Sequence, residues 1–264
     1  MQQSIENIDM KLKIVSDCLP RYTGMPLNEF GQYILLTNFF NYVKMFANQF
    51  DVKIYGEEKS MQAATHGKIT IINIGMGTPN AALIMDLLPA ISPQAVIFLG
   101  KCGGVKDNLK LGDYILPLAG IHGSSVCHEY GIDESVPSLP SFALQKAISG
   151  TLSENGFDYY TGTIYTTARR IWEHDEGFKC HLRKVSAMGV DMETATLFTV
   201  GFHNHIVNGA LLLVSDLPMR PDGVKTEESD KQVTELYVSN HLKMGIKSLE
   251  EIIHDGKTLK HLKF

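Results

Sequence analysis

The apolar positions fall into short continuous runs. Tyr33-Ile34-Leu35-Leu36, Ala95-Val96-Ile97-Phe98-Leu99 and Ala210-Leu211-Leu212-Leu213-Val214 are apolar at every position. Runs of that length mark strands covered on both faces. Further strands are predicted at 68–74, 113–118 and 158–166. Between them apolar residues recur at helical spacing, predicting helices at 4–16, 39–50, 79–90, 141–154, 170–182, 191–203 and about 227–254. Residues 60–65 and 68–74 flank His66-Gly67, which predicts a tight hairpin. Pro79 suits the first turn of its helix, where a missing N–H costs nothing. Pro20, Gly24 and Pro26 predict an irregular segment over 19–26.

Strands alternating with helices predict an α/β fold. The expected architecture is a three-layer α/β/α sandwich around a twisted mixed β-sheet, mostly parallel. No repeat, low-complexity tract or linker divides the chain. Residues 1–264 are therefore expected to form one domain, with 1–30 as an N-terminal helix and extended segment. In such sheets ligands bind beyond the carboxyl ends of strands. Those ends are Thr37-Asn38, Gly75-Met76-Gly77, Gly100-Lys101, Tyr165-Thr166-Thr167 and Ser215-Asp216.

Composition narrows the partners. The 264 residues are 44% hydrophobic and 20% charged, with net charge -5. That length allows a substantial core. The mild acidity argues against a nucleic-acid binder, which needs a basic face. No apolar run approaches the roughly 20 residues of a membrane span. The N-terminus lacks a signal-peptide core. Cys18, Cys102, Cys127 and Cys180 are scattered without a Cys-x-x-Cys pair, which predicts a reducing cytoplasm and no zinc site. Neither a metal nor a cofactor is expected.

The strand ends carry the candidate chemistry. Gly75-Met76-Gly77 is either a tight turn or a place where backbone amides approach a ligand. It is no dinucleotide fingerprint, because no third glycine follows at the required spacing. Lys101 precedes Gly103-Gly104, against the Walker order. Asp191 reads as a helix N-cap. Glu193 is either a favourable charge at a helix start or a carboxylate gripping a vicinal diol. Asp216 is either a turn residue before Pro218 or a buried acid with a raised pKa, able to donate a proton.

Four motifs in this order resemble those of the type I nucleoside phosphorylase superfamily, which contains purine and uridine phosphorylases and several nucleosidases. They are Gly75-Met76-Gly77-Thr78-Pro79, Gly100-Lys101-Cys102-Gly103, Val190-Asp191-Met192-Glu193-Thr194-Ala195 and Ser215-Asp216. The resemblance spans roughly residues 30–255. It implies that Met192 packs against a sugar, Glu193 binds the ribose 2′- and 3′-hydroxyls, and Asp216 protonates purine N7. Gly77 and Ser215 are expected to line the same pocket. Asp191 replaces the family's first glutamate, and its role stays open.

The departures imply a change of nucleophile. Where the phosphorylases hold inorganic phosphate with a glycine, two arginines and a serine, this chain has Asn38, Tyr42, Phe98 and Lys101. Without its guanidinium forks a phosphate dianion loses strong bidentate bonds. Water is therefore the expected nucleophile. Arg21-Tyr22-Thr23-Gly24, the run 33–38, the run 159–167 and Ser215-Asp216-x-Pro218 resemble the nucleosidases that cleave AMP. That resemblance implies AMP as substrate, with Phe98, Met192 and Trp172 as an apolar wall. Arg21, acting across a subunit interface, is the first candidate for the 5′-phosphate. Arg169 and Arg170 come next, and Lys101, Arg220 and Lys225 are weaker candidates. The resemblance also implies a homo-oligomer, a hexamer built as a trimer of dimers. The chain length leaves no room for the regulatory domain of some relatives, so their allostery is not expected. The alternatives are an adenosine, inosine or methylthioadenosine nucleosidase or phosphorylase, and a non-catalytic nucleotide-binding module.

Overall fold

A computed structural model describes residues 2–123 and 126–256. Residue 1, residues 124–125 and residues 257–264 of the expected domain lie outside the described residues. Helix α1 (Gln2–Thr23) leads into β1 (Tyr33–Thr37) and α2 (Phe40–Phe50). The hairpin β2 (Gln62–His66) and β3 (Ile69–Asn73) precedes α3 (Thr78–Leu87). Then come β4 (Ala95–Gly104), β5 (Tyr114–His122) and the short α4 (Val126–Glu129). The remainder is α5 (Phe142–Glu154), β6 (Tyr159–Thr166), α6 (Glu176–Lys184), β7 (Gly189–Asp191), α7 (Thr194–His203), β8 (Asn208–Asp216) and α8 (Glu227–His254).

The strands form one mixed sheet of order β2-β3-β1-β4-β7-β6-β5-β8, with β8 also pairing β4. The pairs β4–β8, β8–β5, β5–β6, β6–β7 and β7–β4 close a circuit. Side chains alternate along the inner strands, as the pleat requires. Ile34, Leu36, Val96, Phe98, Ala210 and Leu212 join Val15, Leu19, Ile84 and Phe198 in a core beneath α1, α3 and α7. Leu35, Ile97, Leu99, Leu211 and Leu213 join Phe46, Ile148 and Leu242 in the opposite core, beneath α2, α5 and α8. Burial on both faces is why these strands read as unbroken apolar runs.

Several boundaries differ from the sequence expectation, among them the end of β5 at His122 rather than 118. Helix α1 continues to Thr23 through Pro20, so 19–23 is not irregular. A helix-interior proline loses one hydrogen bond, and the buried Leu19 and Thr23 hold this last turn against the fold. The hairpin turn is Gly67-Lys68, one residue later than expected, with His66 opposite Ile69. Strand β4 runs on to Gly104 because β7 and β8 pair with its end. The helix expected at 170–182 starts only at Glu176, where Asp175 accepts from the Phe178 N–H at 2.9 Å. Residues 189–191 form β7 between β4 and β6, so α7 starts at Thr194 rather than 191.

Candidate active site

The site forms where the strand circuit closes. Gly103, near the end of β4, is opposite Val190 of β7 and Asp216 of β8. Strand β1 ends alongside, with Thr37 opposite Leu99. One cavity is lined by Asn38, Phe39, Met76, Lys101, Thr167, Arg169, Arg170, Trp172, Glu173, Met192, Glu193, Ser215, Asp216 and Lys225, with Cys102, Gly103, Val190 and Asp191. It brings together most of the residues the sequence singles out. Gly77 does not line it but reaches it through its N–H.

Glu193 is the N-cap residue of α7, but its side chain does not cap that helix. Its Oε1 instead accepts from the Gly77 N–H at 2.7 Å. Gly77 holds φ at 97°, in the region glycine adopts and side chains avoid. Burial pushes the Glu193 carboxyl up to about 8, helped by the neighbouring Asp191 charge and opposed by the Gly77 and Met192 amides and the Asn38 side chain. The Asn38 Oδ1 is buried and has no hydrogen-bond partner among the described residues.

Asp191 is the last residue of β7 and not the helix N-cap. Its carboxylate still serves α7, since Oδ2 accepts from the Thr194 N–H at 2.9 Å and from the Thr194 hydroxyl at 2.5 Å. Oδ1 accepts from the Thr166 hydroxyl at 2.6 Å. Both oxygens are thus spent on the scaffold. A longer glutamate there would have to place its carboxylate elsewhere.

Asp216 ends β8. Burial raises its pKa, while the Ser215 hydroxyl, Lys225 and Arg170 oppose the rise. Ser215 donates to Oδ1 at 2.7 Å. That leaves Oδ2 as the oxygen able to carry a proton toward a ligand. Lys225 and Arg170 influence Asp216 from its surroundings. Trp172 is buried in a small cluster with Tyr165, Leu182 and Val190, and it forms the apolar wall with Met192 and Phe39. Phe98 does not take part, because it points into the core under α1, α3 and α7.

The cations separate clearly. Arg169 and Arg170 lie in the loop before α6 and pair with Asp175 at 2.6 Å and Glu173 at 2.8 Å. Lys101 donates to Asp230 at 2.9 Å and Thr234 at 3.1 Å, and Lys225 reaches the same Asp230 oxygen at 2.8 Å. Arg220 is spent on the carbonyls of Asp107 and Leu109. Arg21 is not brought to this cavity. It sits on α1 with its side chain 73% exposed and pairs with Asp17. Tyr42 is buried, and its hydroxyl meets His241 Nδ1 at 2.9 Å. Glu173, which lines the cavity, and Asp230 and Thr234, which hold Lys101, were not singled out in the sequence. Three acids, Glu227, Glu228 and Asp230, stand in the first turn of α8, where the helix dipole alone favours negative charge.

The family model of the phosphorylase superfamily matches residues 32–250. The chain belongs to that superfamily. Within it, the chain is 53% identical to a solved AMP nucleosidase from Bacteroides thetaiotaomicron VPI-5482, with TM-score 0.81, covering 94% of this chain and 99% of that one. It is 26% identical to AMP nucleosidase of Escherichia coli strain K12 over 91% of its own residues. It spans 59% of the length of that curated relative. A purine nucleoside phosphorylase of DeoD type from Clostridium beijerinckii is 27% identical, over 76% of this chain and 85% of the relative. Among the described residues no helix is long and apolar enough to cross a membrane, and no group of three or more His, Cys, Asp or Glu could hold a metal ion.

Proposed function

We propose that this chain hydrolyses the N-glycosidic bond of AMP to adenine and ribose 5-phosphate. The observation that carries the reading is the meeting of Met192-Glu193 and Asp216 at one cavity, with both acids held toward their neutral forms by burial. Breaking the bond places positive charge on the sugar and negative charge on the base. Asp216, protonated on Oδ2, donates to purine N7 and neutralises the leaving group. Glu193 holds the ribose diol, and in its ionised form it favours the cationic sugar. Met192, Trp172 and Phe39 exclude bulk water from the reacting centre.

Water is the nucleophile in this reading. Tyr42 and Phe98 are both buried in the interior, and neither presents a guanidinium to inorganic phosphate. For the 5′-phosphate, Arg169 and Arg170 are the cations of the same subunit, with Ser215, Gly77 and Lys101 around the ligand. Arg21 would join only from a neighbouring copy. The chain then works as one catalytic domain in a homo-oligomer, a hexamer, in the cytoplasm, with the segment 1–30 at the subunit interface. Exposed Ile8, Met10, Leu12 and Ile14 on α1 support such an interface.

Chromatography of products from AMP, with and without inorganic phosphate, tests this reading. Adenine and ribose 5-phosphate should form at a rate independent of phosphate. Phosphate-dependent turnover, or faster cleavage of adenosine or inosine than of AMP, would replace it with one of the alternatives. Asp216→Asn is expected to lose on the order of 10²–10⁴ in kcat while still binding AMP. Unchanged kcat would remove Asp216 from its role.

A further inference from the structure

Four cations line the cavity, and they are not paired alike. Arg169 and Arg170 each have a carboxylate of their own, Asp175 and Glu173. Lys101 and Lys225 share one, and both meet the same oxygen of it, Asp230 Oδ1, at 2.9 and 2.8 Å. Thr234 adds a third partner to this group through Lys101. The ring of Phe39 lies under both ammonium groups, 4.5 and 5.7 Å from its centroid. The Lys101 side chain is only 3% exposed, and a buried ammonium requires a counter-charge. Two ammonium groups converging on one oxygen make an anion site, and here the chain itself supplies the anion.

We propose that Asp230 is a specificity-determining residue: an intramolecular counter-ion that fills the anion site formed by Lys101 and Lys225 and keeps inorganic phosphate from binding there. The inference rests on the hydrolytic reading and deepens it, by naming what bars a competing nucleophile. A phosphate dianion entering here must displace Asp230 or sit beside its charge, and like charges at that distance repel. Tyr42 and His241, near enough to feel the charges of Asp230 and Lys101, add no cation, because they form a neutral hydrogen-bonded chain that ends on the Leu211 carbonyl. The helix dipole accounts for an acid in the first turn of α8. It does not account for a carboxylate placed between two lysines that line the cavity.

Calorimetric titration with sodium phosphate tests the proposal on the full chain. Asp230→Asn should bind phosphate on the order of ten- to a hundredfold more tightly than the wild type. Adding Lys101→Met to Asp230→Asn should abolish that gain. Equal phosphate affinity in wild type and Asp230→Asn would overturn the proposal, as would a gain that survives Lys101→Met. If Asp230→Asn does not fold, thermal melts of Asp230→Ser give the same decision: phosphate should raise the Tm of the variant more than that of the wild type, and an equal rise would overturn the proposal. Titration needs no turnover. A wild type inert toward AMP would therefore refute the hydrolytic reading, while the phosphate measurement would still decide on Asp230.

Discussion

Glu193 and Asp216 are both buried acids, but their neighbours differ. Glu193 has the Asp191 carboxylate behind it, whereas Asp216 has Lys225 and Arg170 nearby. With its pKa at about 8, Glu193 is mostly protonated at neutral pH in the empty site. The ionised form can accept from both ribose hydroxyls, so kcat/KM for AMP should climb as pH rises toward about 8. Glu193→Gln should lose that climb and on the order of ten- to a hundredfold in kcat/KM. A pH profile that the substitution leaves unchanged would contradict the assignment. For stability the sign is the opposite. A raised carboxyl pKa costs the empty protein stability as pH rises from the ordinary 4.5 toward about 8. That Glu193, Met192 and Asp216 line one cavity was legible in the sequence because short motifs carry them. Asp230 was not, since nothing local separates an acid that faces the helix terminus from one that reaches two distant lysines.

At the scale of elements, the site depends on how closely β5 approaches the start of α7. A Cβ on Gly120 would lie 2.6 Å from the Ala195 Cα and 2.7 Å from its Cβ. The first of these is backbone, so it cannot swing aside. Gly120→Ala should therefore cost about 1–3 kcal/mol by overpacking, read from urea denaturation midpoints. It should also raise KM for AMP, because the displaced helix carries Glu193. Midpoints equal to wild type would show that β5 and α7 can separate freely. The long apolar strands and α8 were legible from period alone. The start of α7 was not, because Gly189-Val190-Asp191 pairs with two strands brought in from elsewhere in the chain. Arg170 and Trp172, in the loop before α6, also read as helix, within the expected 170–182. Asp175, the N-cap that sets the true start of α6, was the local signal that could have corrected it.

At the scale of the molecule, His241 is the group that should weaken the fold in acid. It is fully buried, with Nε2 donating to the Leu211 carbonyl and Nδ1 accepting from Tyr42. Burial lowers its pKa from 6.5 to about 4. A histidine with a depressed folded pKa lends its full stability above the unfolded value of 6.5 and loses it as pH falls from there through about 4. The loss is on the order of 3 kcal/mol. Between about pH 7 and about pH 4.5 the denaturation midpoint of the wild type should fall relative to that of His241→Gln, in which the buried carboxyls act alike. Equal slopes would assign the acid sensitivity to other groups.

The closed strand circuit also bears on how the chain behaves in a crowded solution. Every strand but β2 has a partner on both sides among the described residues. On the open side of β2, Tyr55 bridges Ala63. An unpaired edge is where foreign strands add and where swapped or fibrillar assemblies begin. What remains open here is the side of β2 beyond Ala63 and the stretches where β5 and β6 outrun their partners, since β5 pairs β8 only at Tyr114 and Ile115 and β6 pairs β7 only from Ile164, so a foreign strand could add only there.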